Sequence, residues 1–454
     1  MGSRVTKPKR RFAPKFSRTS AKEQTKSNGP QWRTYLRALG PGLVTGASDD
    51  DPSGIATYAQ TGAKFGLGML WVALVTFPLM AAVQEICDRT ALATGKGLGE
   101  LIFIRFSKTW RVAIGFLIAI LIVANALNIA ADLVAVGAGM HLLHAGPQVL
   151  WAVLAGGAII AFLVSGSFEL VAKVLKVLCV ALLAYIAELF FVTVPWGTVL
   201  SHAIVPHLQF NKAYVAILIA VLGTTISPYL FFWQSMERLE DLRAEEPGGD
   251  EPLPLPRRTK ANARTKRAES RFDVFFGMGF SNVVMFAIIV VTSLTIGKHG
   301  HHVNINSPAQ AATSLKPVAG RFATYIFALG FIGSGMLAIP VLAGAGSAGM
   351  AGLLGRPTGF SNSPRKAPVF YGLVVAGMLG GIALSLFNIN PITLLVFVAV
   401  VNGVAAAPFL VVTMMVASDR GIMGNYTNGK LALTLGWITV ALMALSSVAL
   451  VIVG

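Results

Sequence analysis

Residues 40–60 read GPGLVTGASDDDPSGIATYAQ, an apolar run interrupted by three successive aspartates and Pro52. A run of this length can cross a membrane as a helix. Pro52 removes a backbone N–H donor and disfavours helix in the residue before it. Carboxylates and unpaired backbone carbonyls are tolerated at membrane depth only where they line a wet cavity enclosed by protein. The sequence therefore predicts a membrane helix in two halves whose break faces the protein interior.

A second apolar run, residues 213–237, is broken in a similar way. Its centre reads LGTTISPYL at 222–230, which is polar around Pro228. One alternative is that Pro228 only kinks a helix and that the aspartates lie at the membrane surface. Two breaks in matching positions of two halves are instead the best sequence indication of a transporter's binding site. We therefore expect spans 1–5 and 6–10 to form an inverted repeat, with an eleventh helix added.

The composition of the whole chain indicates an all-α polytopic membrane protein. Of its 454 residues 54% are hydrophobic and 13% are charged, with a mean hydropathy of +0.67. Soluble domains carry about a quarter of their residues as charged ones, so a soluble enzyme is excluded. The apolar runs are continuous and lack the alternation of a membrane β-barrel. Candidate spans are 39–64, 68–88, 112–141, 149–166, 169–195, 213–237, 272–297, 322–352, 367–387, 391–417 and 431–453.

The charge distribution predicts the orientation and the domain limits. The net charge is +17, and Lys and Arg fall almost entirely in the segments that alternate spans place on one side. By the positive-inside rule, the N-terminus is cytosolic and the C-terminus is outside, in a plasma (inner) membrane. The expected units are a basic cytosolic tail (1–38), the first repeat with broken span 6 (39–237), a flexible cytosolic linker (238–271) and spans 7–11 (272–454). The tail carries no nucleic-acid-binding motif, so anionic lipid is its expected partner rather than nucleic acid.

Oxygen donors dominate both breaks, which contain no Cys, Met or His. Carboxylate, hydroxyl and carbonyl oxygens suit hard divalent cations such as Mg²⁺, Ca²⁺ and Mn²⁺. Asp51 is the first candidate ligand, and the metal ion is cargo, so no cofactor is expected. The candidate metal-site residues are Asp51, Ser48, Gly54, Thr224, Thr225, Ser227, Asp50 and Asn402.

Three further alternatives bear on function. Asn402 in span ten can reach the centre of the membrane, although a buried Asn more often bridges helices. Asp132 in span three has a structural role or a role in permeation, and the sequence favours neither. An amino-acid transporter of the same fold would present helix amide ends to a substrate carboxylate, which three aspartates would repel. An enzyme is not expected, because no nucleophile–base or HExxH pattern occurs.

Several motifs resemble those of the NRAMP family of divalent-metal transporters. They are GPG at 40–42, the Asp-Pro break at 51–52, QTGAKFG at 60–66, TGKGL at 94–98 and LKP at 315–317. The similarity covers the chain outside the tail and the linker. It implies the LeuT fold and alternating access about the two broken helices.

The departures from the family pattern concern the metal site and the proton path. Gly54 and Ser227 stand where the family has a metal-binding Asn and Met, and Tyr229 and Gln234 stand in place of two His. Ala135 replaces an acidic partner of the span-three Asp. This pattern resembles the NRAMP-related magnesium transporters, which implies import of Mg²⁺, and also Mn²⁺, without proton coupling. The alternative is a proton-coupled Mn²⁺/Fe²⁺ transporter of NRAMP type.

Overall fold

The computed structural model describes residues 39–209, 211–245, 251–297, 305, 323–387 and 390–453, so the basic tail lies outside the described residues. Every regular element in these ranges is helical. The helices are α1 (Pro41–Asp49), α2 (Pro52–Phe65), α3 (Trp71–Thr94), α4 (Leu98–Arg105), α5 (Lys108–Leu142), α6 (Gln148–Ser165), α7 (Phe168–Leu178), α8 (Leu183–Glu188), α9 (Trp196–Ile204), α10 (Lys212–Thr225), α11 (Pro228–Ala244), α12 (Lys260–Thr295), α13 (Ala323–Leu353), α14 (Pro368–Ser385), α15 (Pro391–Ala417), α16 (Arg420–Met423) and α17 (Lys430–Val453).

Ten helical segments in the described part of the chain are long and apolar enough to cross a membrane. They coincide with predicted spans 2–11, where α7–α8 and α10–α11 each count as one. The first predicted span consists of the two short helices α1 and α2, which meet at the Asp50–Asp51 break. The prediction of an all-helical polytopic protein with a broken first helix is thus confirmed.

The two broken spans lie at the centre of the bundle. Helix α12 packs along α1, α2 and α3, while α10 packs against α15 and α11 against α13 and α3. Side chains of α2 and α11 are almost all buried, whereas α6, α14 and α17 expose apolar side chains on their outer faces. Outer helices that expose apolar side chains are expected when lipid is the solvent. The breaks are therefore surrounded by protein.

Glycines allow α1 and α12 to approach each other closely. A Cβ added at Gly46 would overlap the Gly277 carbonyl group, and one added at Gly277 would overlap the Gly42 carbonyl oxygen. Small residues at helix crossings let backbones pack in contact within membranes. This contact places the first half-helix directly on span seven.

An ion network ties one end of the bundle together, and sequence analysis did not predict its central pair. Arg238 of α11 donates to Asp88 of α3 over 2.6 Å and to Asp273 of α12 over 2.9 Å. Asp273 in turn accepts from the backbone N–H groups of Gly40 and Gly42, each over 2.8 Å. Its carboxylate therefore accepts hydrogen bonds from N–H groups at the N-terminus of α1 that have no partner within the helix. Its negative charge also interacts favourably with the positive end of the helix dipole.

Residues 238–271, for which the sequence predicts a flexible cytosolic linker, are largely helical where the structure describes them. Helix α11 continues to Ala244, and α12 begins at Lys260 rather than near 272. Arg238 and Glu240 are buried, and Leu242 packs with Leu255 in a small apolar cluster. Ion pairs within this segment, including Lys266 with Asp241 at 3.0 Å, compensate for its polar composition.

Predicted span five is also less regular than expected. A 3₁₀ turn over Cys179–Leu182 separates α7 from α8. At this turn Ala181 lies against Gly333 of α13 so closely that a Cβ at Gly333 would overlap it. The tighter turn accompanies a close helix crossing, which sequence periodicity does not show.

Because α1 and α12 cross closely, we expect the protein to lose stability when one methyl group is added at the crossing. Gly277→Ala should lower stability by about 1–3 kcal/mol, because the added methyl overlaps backbone atoms of α1. Gly157→Ala on the outer helix α6 is the matched control, since nothing lies within 4 Å of its added Cβ. Thermal unfolding of the purified proteins measures the difference. Equal midpoints for the two variants would contradict the close crossing.

Candidate metal site

Asp51 lies at the break of the first span and is only 2% exposed. It is the N-cap of α2, and its Oδ1 accepts from the Gly54 backbone N–H over 2.8 Å and from the Ser53 hydroxyl over 2.5 Å. The capping interaction fixes the side chain because a helix N-terminus requires an acceptor there. The second oxygen, Oδ2, is left to face the break of the other span.

Tyr229 joins the two breaks. Its hydroxyl lies 3.4 Å from Asp51 Oδ2 and 3.3 Å from the Ser48 carbonyl oxygen. One phenolic proton is shared between these two acceptors, and both distances are long for an O–H···O bond. Three oxygens from the two broken helices therefore converge, and all are hard ligands. Sequence analysis considered Tyr229 only as a replacement for a family His and did not expect its hydroxyl at this point.

The predicted hydroxyl ligands of α10 and its break are bonded to their own helix. Thr225 donates to the Val221 carbonyl over 2.9 Å, and Ser227 donates to the carbonyls of Gly223 and Thr224. The Thr224 carbonyl thus already accepts one hydrogen bond. Thr224 also donates to the Tyr58 hydroxyl over 3.4 Å, which links the break to α2. A hydroxyl that donates its proton in this way keeps oxygen lone pairs for a cation.

Asp49 and Asp50 each accept a hydrogen bond from span seven. The Ser281 hydroxyl lies 3.1 Å from Asp49 Oδ2 and 3.2 Å from Asp50 Oδ1. Both aspartates are fully buried, and the second oxygen of each has no hydrogen-bond partner in the described part of the chain. Asp50 is therefore placed beside the candidate site, with its hydrogen bond directed away from it.

Gly54 and Asn402 are the two remaining residues of the predicted metal site. A Cβ at Gly54 would lie 3.1 Å from the Asp49 carbonyl oxygen, so glycine here allows the two halves of the span to approach closely. The Asn402 amide lies 3.4 Å from that of Asn128 in α5. This contact bridges spans ten and three, and no hydrogen bond between described residues joins Asn402 to the breaks.

Asp132 of α5 is fully buried, and neither carboxylate oxygen has a hydrogen-bond partner among the described residues. Its backbone carbonyl and the Pro52 ring both lie near the position of an added Cβ on Gly335, at 3.2 and 3.5 Å. The residue therefore lies close to the first break, on the side of α5 and α13.

Within the described residues, no group of three or more His, Cys, Asp or Glu side chains is arranged to hold a metal. For a divalent cation at the breaks, Asp51 is the carboxylate that contacts both broken helices, and carbonyl, hydroxyl and water oxygens could complete its shell. Mg²⁺ is bound in this way in many proteins, because it dehydrates reluctantly. The donor set excludes a soft-ligand cage.

A helical membrane protein with two central broken helices and a buried, oxygen-lined break belongs to the class of secondary transporters. The family profile described as natural resistance-associated macrophage protein-like, Nramp, matches residues 42–453. The chain therefore belongs to the Nramp family, whose members transport divalent metal cations, and it is not an enzyme.

Individual relatives are similar over nearly the whole chain. The divalent metal cation transporter MntH of Mycobacterium leprae is 25% identical over 434 residues, 95% of each chain. MntH of Klebsiella pneumoniae is 25% identical over 428 residues, 94% of this chain and 96% of the relative. The manganese transporter of Eremococcus coleocola has a TM-score of 0.73 at 17% identity, over 93% of this chain and 87% of its own. Mhp1, a nucleobase-cation-symport-1 transporter, has a TM-score of 0.58 at 13% identity, over 91% of each chain. These likenesses confirm the predicted LeuT-like fold.

Removing the Asp51 carboxylate tests the site directly. Asp51→Ala deletes the one charge that faces the other break, so divalent-metal uptake into proteoliposomes should fall to background. Glu251→Ala, at a side chain that is 88% exposed, is the control and should keep wild-type uptake. Unchanged uptake by Asp51→Ala would place the site elsewhere, with Asp50 the next residue to test.

Proposed function

We propose that this transporter imports hard divalent cations, carrying Mn²⁺ and also admitting Mg²⁺. The observation that carries this proposal is the convergence of Asp51 Oδ2, the Ser48 carbonyl and the Tyr229 hydroxyl between the two breaks. All three donors are oxygens, and one is a carboxylate. Such a set favours hard cations and offers no preference for softer transition metals.

The relatives support manganese more directly than magnesium. Two of them are named divalent metal cation transporters, and the related structure is named a manganese transporter. Transport of Mn²⁺, which the sequence analysis held mainly as the alternative, is therefore the better supported part of the proposal. The case for Mg²⁺ rests on the chain's own residues, since Ser227 replaces a thioether and Gly54 replaces an amide ligand.

The burial of the breaks supports a mechanism of alternating access. Ser48, Asp51 and Tyr229 are at most 2% exposed, so a hydrated ion reaches them only when helices move. Helix α1 is joined to its neighbours through Asp273 and through its glycine contact with α12. We infer that this half-helix moves during transport, and its movement would require both contacts to change.

We also propose that metal flux is not coupled to protons. A proton-coupled transporter needs a chain of titratable groups through the membrane. Gln234 donates its amide to Asp88 over 2.7 Å and is held in the ion network, and Ala135 offers no acid beside Asp132. Membership of the Nramp family favours the second candidate, a proton-coupled Mn²⁺/Fe²⁺ transporter, in which Asp132 would carry the proton.

The choice of cargo predicts a competition result. Rising Mg²⁺ should inhibit Mn²⁺ uptake into proteoliposomes with broadly similar affinity, because both ions accept the same oxygen donors. Ca²⁺ should compete less well, since it is larger and prefers more ligands. If millimolar Mg²⁺ leaves Mn²⁺ uptake untouched, Mg²⁺ is not a substrate and the transition-metal alternative stands.

A single substitution should shift this selectivity. Ser227→Met introduces a thioether at the second break and should weaken inhibition by Mg²⁺ about tenfold relative to Mn²⁺. Ser447→Met is the matched control, because the Ser447 hydroxyl also donates to a carbonyl of its own helix but lies on α17. The same inhibition curve for both variants would argue against a role of Ser227 in selectivity.

Proton coupling is tested by internal pH in the same vesicles. We expect metal uptake without acidification of the interior, and no change in this result for Asp132→Asn. Metal-dependent acidification that Asp132→Asn abolishes would establish the proton-coupled candidate instead.

A further inference from the structure

A cavity of about 490 Å³ lies between the N-terminus of α1, helix α7 and helix α11. It is at the end of the bundle that carries the Arg238 network, which the charge distribution predicts to face the cytosol. Pro41 lines one side, and Asp241, an ion-pair partner of Arg238, lines another. None of its lining residues is among the proposed metal-site residues at the two breaks.

Glu237 lines this cavity with an unsatisfied carboxylate. The residue is 2% exposed, its Oε2 has no hydrogen-bond partner, and it forms no ion pair with any described residue. The adjacent Arg238 is directed to Asp88 and Asp273 on the other side of α11. A buried carboxylate without a partner is costly, and a cationic group that donates hydrogen bonds would relieve that cost.

Two lysines give the cavity cationic groups. Lys173 and Lys176 line it from α7 together with Glu169, are exposed, and form no ion pair among the described residues. Their ammonium groups can donate charge-assisted hydrogen bonds to a phosphate. The cavity therefore suits a ligand that carries an ammonium group and a phosphate a short distance apart.

An apolar wall connects the cavity to the membrane. Val177 and Val180 line it from the membrane-spanning segment Phe168–Phe191 and are 64% and 61% exposed. Apolar side chains exposed along a spanning helix contact acyl chains. A ligand with a zwitterionic head and an acyl tail would match both parts of this surface.

The geometry points to a phosphatidylethanolamine site, with the ammonium group on Glu237 and the phosphate on Lys173 and Lys176. Phosphatidylethanolamine fits better than phosphatidylcholine, because a quaternary ammonium has no N–H to donate to the carboxylate. The headgroup would lie against Pro41 at the start of α1. The lipid would thus contact the half-helix whose movement the transport cycle is expected to need.

Native mass spectrometry of the full-length protein, purified in detergent and titrated with single lipids, tests this site. Wild-type protein should retain phosphatidylethanolamine about tenfold more strongly than phosphatidylcholine, the factor expected for one charge-assisted hydrogen bond. Equal retention of the two lipids would overturn the proposal without any variant. The readout is independent of metal transport, so it stands or fails separately from the proposed cargo.

Variants then locate the site. Glu237→Gln should reduce retention of phosphatidylethanolamine to the level of phosphatidylcholine, and the double change Lys173→Gln with Lys176→Gln should reduce retention of both lipids. Lys430→Gln, at an exposed lysine that begins α17, is the matched control and should retain lipid as the wild type does. If Glu237→Gln leaves lipid retention unchanged but removes a Mn²⁺ site detected by titration calorimetry, the cavity binds metal and the lipid assignment is wrong.

Discussion

The buried carboxylate of Asp273 is the contact on which the position of the first half-helix depends. It accepts hydrogen bonds from backbone N–H groups at the start of α1 and pairs with Arg238, which also binds Asp88. One side chain thus connects α1 and α12 to α11 and, through Arg238, to α3. Breaking a buried pair of this kind costs about 3–5 kcal/mol because a charge is left uncompensated. The network therefore joins the parts of α1 and α11 that lie away from the two breaks.

The enclosure of the breaks also involves contacts one turn further along the same face of α1. Gly46 and Gly277 bring its backbone onto α12, and this approach places Ser281 within hydrogen-bond distance of Asp49 and Asp50. The two extra aspartates share the Ser281 hydroxyl of span seven, whereas the Asp51 carboxylate contacts the Tyr229 hydroxyl. The three successive acids therefore have different hydrogen-bond partners.

Tyr229 adds an oxygen donor from the second broken helix to the candidate metal site. Its hydroxyl spans the gap between the Ser48 carbonyl and Asp51 Oδ2, so both broken helices contribute oxygen at one point. Membership of the Nramp family establishes divalent metal cations as the cargo class, and the all-oxygen donor set supports the proposed admission of hard ions. The Glu237 cavity, at the start of the same half-helix, adds a proposed lipid contact to a segment that is expected to move.

The sequence by itself determined the helical membrane class, the Nramp resemblance and the first break, because charged groups and a proline inside an apolar run leave few solutions in lipid. A proline by itself does not predict a helix break, since Pro78, Pro340 and Pro408 lie within continuous helices. Only the tertiary structure paired Arg238 with Asp273, turned Asp50 towards Ser281 and brought Tyr229 to Asp51. These contacts join residues far apart in the chain. Local composition likewise predicts a flexible linker after span six, whereas the described residues there are largely helical and their charges are compensated by partners that composition cannot show.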